Sequence, residues 1–320
     1  MKNNRILSPG SEDPENSSSV FFLNPQLIAS AAASVRQRQE NFQALTERAE
    51  GNDLQAQHEL ALCYYTGDGT NQNYERAAHW FSCAANMGHV IAQYHLGVCY
   101  ENGFGVEQDD EKALEWYREA AQQEFPPAQC ACGWFLELGK GVEVDKQQAK
   151  QFYRLSAEQS YAPAQCNLGF FYYHGIVVEE NDTQAFNWFA KAANQGYPRA
   201  QFLLGECYEN GYGVEQDIEK AITLYRSAAT NDYAPAQSRL GLLYLRGDGI
   251  EQSDAEAFHW FSRGAEQEEA SAQCLLGECF EFGYSVEKDF NKARELYWLS
   301  AGQGYSSAAS DVYKRQLDKQ

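Results

Sequence analysis

Between Ala92 and Pro127, small and apolar residues fall at Ala92, Leu96, Gly97 and Tyr100, a spacing that keeps them on one side of a helix. Gly103 and Gly105 interrupt the pattern, Val106 and Asp109 follow, and a second helical spacing runs through Ala113, Trp116, Tyr117, Ala120 and Ala121. The segment therefore predicts helix, loop, helix. Ala-Gln opens it, and the pair returns every 36 residues at Ala56, Ala92, Ala128, Ala164, Ala200, Ala236 and Ala272 before degenerating to Ala308-Ala309. A fixed period of this size is the signature of a solenoid. One elongated all-α array is predicted, not the two globular domains that 320 residues would otherwise suggest. In such an array each unit touches its neighbours only, so function is sought on an extended surface and not in one pocket.

Start and stop signals keep the same phase. Counting each Ala of the pair as position 0, position +17 holds Asn73, Asp109, Asp145, Asn181, Asp217, Ser253 and Asp289, all good N-caps for a second helix. Position +11 is Gly from Gly67 to Gly283, where a left-handed cap would end the first helix. Pro127, Pro163 and Pro235 precede the Ala and suit a first turn. Inside the first helix, Gly97, Gly133, Gly169, Gly205, Gly241 and Gly277 each cost about 1 kcal/mol relative to Ala, and close approach of the paired helix with its bulky Trp or Tyr is the expected compensation.

Gln93, Leu96-Gly97, Tyr100, Gly103-Phe104-Gly105-Val106, Asp109, Lys112-Ala113, Trp116-Tyr117 and Ala120-Ala121 together resemble the Sel-one-like repeat family, a relative of the tetratricopeptide repeats. The resemblance extends over most of the chain. It implies a right-handed α/α superhelical solenoid of helix-turn-helix repeats whose first helices line the concave surface, and a role as a protein-binding scaffold or adaptor. Ala61 replaces Gly, Val177 and Ser285 replace the second loop Gly, and Thr70 replaces the Val, which puts local loop geometry in question.

Four segments are expected: a disordered polar leader over 1–24, a helical N-terminal cap or degenerate repeat over 25–55, seven repeats over 56–307 and a tail over 308–320. Asn24-Pro25 reads as N-cap and first turn of the capping helix. Asp311-Val312-Tyr313-Lys314-Arg315-Gln316 matches the translation of a transposon end used in sequencing libraries, so the natural chain is expected to differ from about Asp311.

A net charge of −20 disfavours nucleic acid and anionic membranes, both of which need clustered Lys and Arg. No apolar run approaches the roughly 18 residues of a membrane span, and no signal sequence is recognised, so a cytoplasmic monomer is expected. Among the nine cysteines, Cys63, Cys99, Cys207 and Cys279 share position +7, and Cys130, Cys166 and Cys274 share +2. Equivalent positions in stacked helices lie about 8–10 Å apart, beyond the Cα limit of about 7 Å for a bridge, so free and mostly buried thiols are expected.

Candidate chemistry is thin. The Gly-x-Gly strings follow helices, not strands, which removes the dinucleotide context. Asp68 to Glu75 has the wrong ligand spacing for calcium, and Cys130, Cys132 and Cys166 lack the paired spacing of a zinc site. The six His residues share no ligand spacing, and no cofactor, metal or enzymatic activity is expected. The aromatic phase at Trp80, Trp116, Trp188 and Trp260 reads as core.

Positions +2, +6 and +9 of the first helix lie opposite the core stripe. They supply the candidate partner-binding groove: Tyr94 and Phe202 at +2; Trp134, Phe170, Glu206 and Glu278 at +6; Tyr65, Glu101, Glu137, Tyr173, Glu209 and Glu281 at +9. Exposed aromatic patches mark interaction sites. The expected partner is another protein offering a basic or apolar peptide segment, with the carboxylates pairing Lys or Arg and the aromatics anchoring. Filling of a tightly curved inner wall is the competing reading of the aromatics. A cell-envelope-associated hydrolase or peptidoglycan-related protein is the alternative function.

Overall fold

The computed structural model describes residues 25–305, which form fifteen α-helices and no strand. After α1 (Pro25–Glu50) the helices come in pairs: α2 (Leu54–Thr66) with α3 (Tyr74–Asn86), α4 (Val90–Asn102) with α5 (Asp110–Gln122), and α6 (Pro126–Leu138) with α7 (Lys146–Glu158). The pairs continue as α8 (Ala162–Tyr173) with α9 (Asp182–Ala193), α10 (Pro198–Asn210) with α11 (Ile218–Thr230), α12 (Ala234–Arg246) with α13 (Asp254–Glu266), and α14 (Ala270–Phe282) with α15 (Phe290–Gly302). Each pair is one unit, and each second helix also packs on the first helix of the next unit. The units stack into a right-handed α/α solenoid.

The terminator residues act as their chemistry dictates. All seven residues at +17 accept a hydrogen bond from an N–H in the first turn of the helix they open. The second loop Gly is forced by contact as well as by backbone: at Gly105, φ is 73° and an added Cβ would lie 2.0 Å from the Tyr74 carbonyl oxygen of the preceding unit. Val177 and Ser285 adopt the same left-handed backbone, with φ of 52° and 57°. The loop geometry is therefore kept in the units that lack this Gly, at the cost of strain.

Each unit's core is built on the Ala at position 0, wholly buried in all seven units, and on the ring at +25. Those rings are Phe81, Tyr117, Tyr153, Phe189, Tyr225, Phe261 and Tyr297, all among the largest fully buried side chains. In the six units other than the first, which has Ala61, the Gly at +5 makes room for them, since a Cβ on Gly97 would lie 2.6 Å from the Tyr117 ring. The compensating side chain is thus the Tyr or Phe at +25 and not the Trp beside it. Trp80, Trp116 and Trp188 are half-buried at the edge of the core, while Trp260 is buried.

The Gln of Ala-Gln is buried and bridges units. Gln165 donates to the Ala157 carbonyl of the preceding second helix at 3.1 Å and accepts from Gln195, which ends its own second helix, at 2.8 Å. Gln129 with Gln159, Gln93 with Gln123, Gln237 with Gln267 and Gln273 with Gln303 repeat the second link. Burial of an amide is tolerated where its donors and acceptors are met, and this link meets them. At the N-terminal end, α1 stands in for a preceding second helix: Ala49 is wholly buried, Phe42 packs edge-on to Tyr64 at 5.4 Å, and Gln57 donates to the Ala49 carbonyl. The expected leader over 1–24 and tail over 308–320 lie outside the described residues.

Candidate functional site

The carboxylates at +9 are turned to the core ring of their own unit. Glu101 accepts from the Tyr117 hydroxyl at 2.6 Å, Glu137 from Tyr153 at 2.7 Å, Glu209 from Tyr225 at 2.7 Å and Glu281 from Tyr297 at 2.8 Å. Burial first, and then this hydrogen bond, hold the Tyr117, Tyr153 and Tyr225 hydroxyls far above the ordinary tyrosine value. Lys140 also pairs with Glu101 at 3.2 Å, and Arg239 with Glu209. Each of these glutamates thus has one oxygen engaged by a buried hydroxyl of its own unit, a structural role that the expectation of a groove paired to a basic ligand did not include.

Where the core ring is Phe, with no hydroxyl to satisfy, +9 is not acidic. Tyr65 meets Phe81, Tyr74 and Phe104 edge-on, and Tyr173 meets Tyr212 at 5.6 Å, so both belong to aromatic clusters near the loops. Glu206 is half-buried, and burial raises its carboxyl above the usual range, with Glu209 adding and Arg239 opposing. Glu278 is half-buried in the last first-helix, α14.

The remaining aromatics each pack locally within their own or the adjoining unit. Tyr94 packs between Tyr117 and Phe125, each 5.6 Å away, and Phe202 repeats this between Tyr225 and Tyr233. Trp134 is 39% exposed with the Lys140 ammonium 4.4 Å above its ring, a cation–π contact. Phe170 is half-buried between His174 and Arg199. Inner-wall filling and exposure thus both occur: the +2 rings pack on one side and keep part of their surface open, and Trp134 stands more exposed.

Sequence reasoning missed a further row. Phe125, Tyr161, Tyr197 and Tyr233 occupy the N-cap positions of α6, α8, α10 and α12 and make no capping hydrogen bond, whereas Asp53, His89 and Glu269 do cap their helices. Apolar and aromatic residues are poor N-caps, and each of these rings instead packs half-buried against a core cluster with its remaining surface open to solvent. The available signal was phase: each aromatic falls three residues before position 0, just ahead of the prolines.

Arg199 lies within this row. Its guanidinium donates to Asn167 at 2.9 Å and sits 5.5 Å from the Phe170 ring centre, close enough to Tyr197 to oppose the rise that burial gives its hydroxyl. Burial raises Tyr161 to about 12, with lesser contributions from Cys130, Tyr94 and Tyr197; burial likewise raises Tyr233, which also feels Arg199 and Tyr197.

All nine cysteines are free; Cys63 and Cys83 are half-buried and the rest buried. Burial pushes Cys99, Cys130, Cys132, Cys166, Cys207 and Cys279 up to about 12, which suppresses the reactive thiolate. Among the described residues no His, Cys, Asp and Glu group is arranged to hold a metal, and no helix is long and apolar enough to cross a membrane. Trp116 and Trp188 instead wall two open clefts on the second-helix side, of about 610 and 590 Å³.

Comparison with known proteins establishes the family of the repeat. The Sel1 repeat matches residues 54–89, 90–125, 126–161, 162–197, 198–233, 234–268 and 270–305. A Sel1 repeat protein from Oxalobacter formigenes has a similar structure, 31% identical over 88% of this chain and 81% of its own, with a TM-score of 0.65. The protective antigen c5321 of uropathogenic Escherichia coli, described as having an SLR fold, is 30% identical over 87% of this chain and 67% of its own, with a TM-score of 0.45. No curated protein is found to match. Seven consecutive matched units make this chain a member of the Sel1 repeat family, whose helical arrays are generally protein-interaction scaffolds and typically non-enzymatic.

Proposed function

We propose that the chain is a non-catalytic scaffold that holds an extended segment of another protein along its first-helix face. The observation that carries this reading is the aromatic row at the N-caps of α6, α8, α10 and α12, joined by Tyr94, Trp134 and Phe202. Tyr and Trp dominate binding hot spots because they offer large area at low entropic cost and a polar tip. A row of them at one phase matches an extended ligand crossing several units. Apolar side chains are the complement this row selects. A basic segment, the other expectation, finds Glu101 and Glu209 already paired with Lys140 and Arg239, so the aromatic row is the stronger selector.

The proposal is tested by photo-crosslinking in cells that express the chain. A benzophenone amino acid at Tyr161 or Phe202 should yield a protein adduct, whereas the same group at the exposed second-helix residues His79 or His259 should not. Adducts from the second-helix positions alone would move the site to the outer face.

A further inference from the structure

Resting on that reading, we propose that Arg199 receives an internal Asp or Glu side chain of the bound segment, with apolar residues of the ligand seated on the tyrosines to either side. Three observations converge. Arg199 is a held cation, fixed by Asn167 at 2.9 Å with its guanidinium over the face of Phe170 at 5.5 Å. No carboxylate lies within ion-pair distance of it among the described residues. Of the other cations on this face, Lys140 is matched by Glu101 and Asp110 and Arg239 by Glu209, while Arg246 at the end of α12 is exposed and not half-buried among the rings as Arg199 is. In a chain of net charge −20, a cation left without a carboxylate at the centre of a conspicuously aromatic face departs from the general pattern.

A guanidinium held in a fixed plane is suited to a carboxylate, which it can grip through two parallel hydrogen bonds. Its neighbours decide between an internal side chain and a chain terminus. Tyr161 and Tyr94 continue the row toward the N-terminal units, and Tyr233 and Phe202 continue it toward the C-terminal units. A ligand ending at Arg199 would leave half of that row uncovered, whereas one passing through would use both halves. A nucleic acid phosphate is a poor fit, because one unmatched Arg cannot offset the repulsion of the surrounding acidic chain.

The test selects phage-displayed random peptides on the full-length chain, then measures affinity for the best synthetic peptide. Selected peptides should share one internal Asp or Glu flanked by apolar residues. Arg199→Gln should weaken that peptide by about tenfold or more, as should Asp→Asn or Glu→Gln in the peptide, and the two changes together should cost little beyond either alone. C-terminal amidation of the peptide should leave affinity unchanged. Helical circular dichroism of the variant confirms that the fold is retained, and Arg199→Glu should shift selection toward Lys or Arg at the same peptide position.

Peptides that bind wild type and Arg199→Gln equally would overturn the inference while leaving the scaffold reading intact. Sensitivity to amidation would overturn it in favour of a terminal carboxylate. If no peptide binds this face, both readings fall together.

Discussion

The Tyr153 hydroxyl donates to Glu137 at 2.7 Å, tying the core ring of one helix to the face residue of its partner. Across the seven units this relationship is strict. Tyr117, Tyr153, Tyr225 and Tyr297 stand opposite Glu101, Glu137, Glu209 and Glu281, whereas Phe81, Phe189 and Phe261 stand opposite Tyr65, Tyr173 and Leu245. A buried hydroxyl demands an acceptor, and a ring without one releases the facing position for another use.

Tyr153→Phe should therefore destabilise the third unit, by about 1–2 kcal/mol, because it leaves a half-buried carboxylate without its donor. The double change Tyr153→Phe with Glu137→Leu recreates the natural Phe261 and Leu245 combination and should lose less than Tyr153→Phe alone. Urea unfolding of the four proteins in the cycle measures the coupling. A neutral Tyr153→Phe would mean that Glu137 is held for a ligand after all.

Much of the array is legible in the chain because its signals are local and repeat at one phase. Asp109 as N-cap, Gly103 as left-handed cap and the small Gly97 each state their role through side-chain chemistry alone. The binding face is less legible, for two reasons. The +2, +6 and +9 phases place a residue on a side of a helix but do not say whether it points to solvent or back to a ring one helix away, as Glu137 does. The N-cap aromatics also sit where a capping residue is anticipated, so Tyr161 and Tyr197 read as turn residues until their side chains are seen to cap nothing. Arg199 is one residue in one unit and carries no periodic signal.

The buried glutamine link predicts two stabilising substitutions. Five units end their second helix with Gln, but the first and fifth place Met87 and Asn231 there. In those two units the Gln57 and Gln201 side-chain oxygens are buried without a partner. Asn231 is a carbon shorter and donates to the Ser227 carbonyl instead. Met87→Gln and Asn231→Gln should each raise stability by about 0.5–1.5 kcal/mol, the usual net value of one hydrogen bond. Higher urea midpoints, with hydrogen exchange slowed in the altered unit, are the expected outcome. Gln159→Ala should do the reverse in the third unit.

Opposite effects are expected at one loop phase. Gly105→Ala must move backbone, because its Cβ would lie 2.0 Å from the Tyr74 carbonyl oxygen while φ stays at 73°. A loss of about 3 kcal/mol or more should follow, centred on the junction of the first two units. Val177 already carries a branched side chain in this conformation, so Val177→Gly should gain up to about 1 kcal/mol despite the added freedom of the unfolded chain. Equal losses at both positions would show that Val177 contributes more by packing than it costs in strain.

The first unit should be the acid-sensitive end of the array. His58 is 5% exposed, stacks on His89 at 4.6 Å and lies near His95 at 5.6 Å, and neither of its ring nitrogens has a partner. Burial, reinforced by the other two imidazoles, lowers His58 to about 4, and burial lowers His89 and His95 as well. His89 accepts the Ala92 N–H through Nδ1 as an N-cap and faces Gln55 through Nε2, so protonation of Nδ1 would remove the acceptor and break the cap. The sign follows from proton counting. Above pH 6.5 neither folded nor unfolded chain is protonated at His58; below it the unfolded chain takes up protons that the folded chain refuses until about pH 4. Stability should fall across that window, by roughly 3 kcal/mol from His58 at full extent. His58→Phe keeps a ring against Phe81 and His89 without a titrating nitrogen, so its urea midpoint should change less than wild type between pH 7.5 and pH 5, the change at exposed His259→Ala matching wild type. Parallel acid limbs for His58→Phe and wild type would assign the loss to carboxylates elsewhere and leave the imidazole stack a packing feature alone.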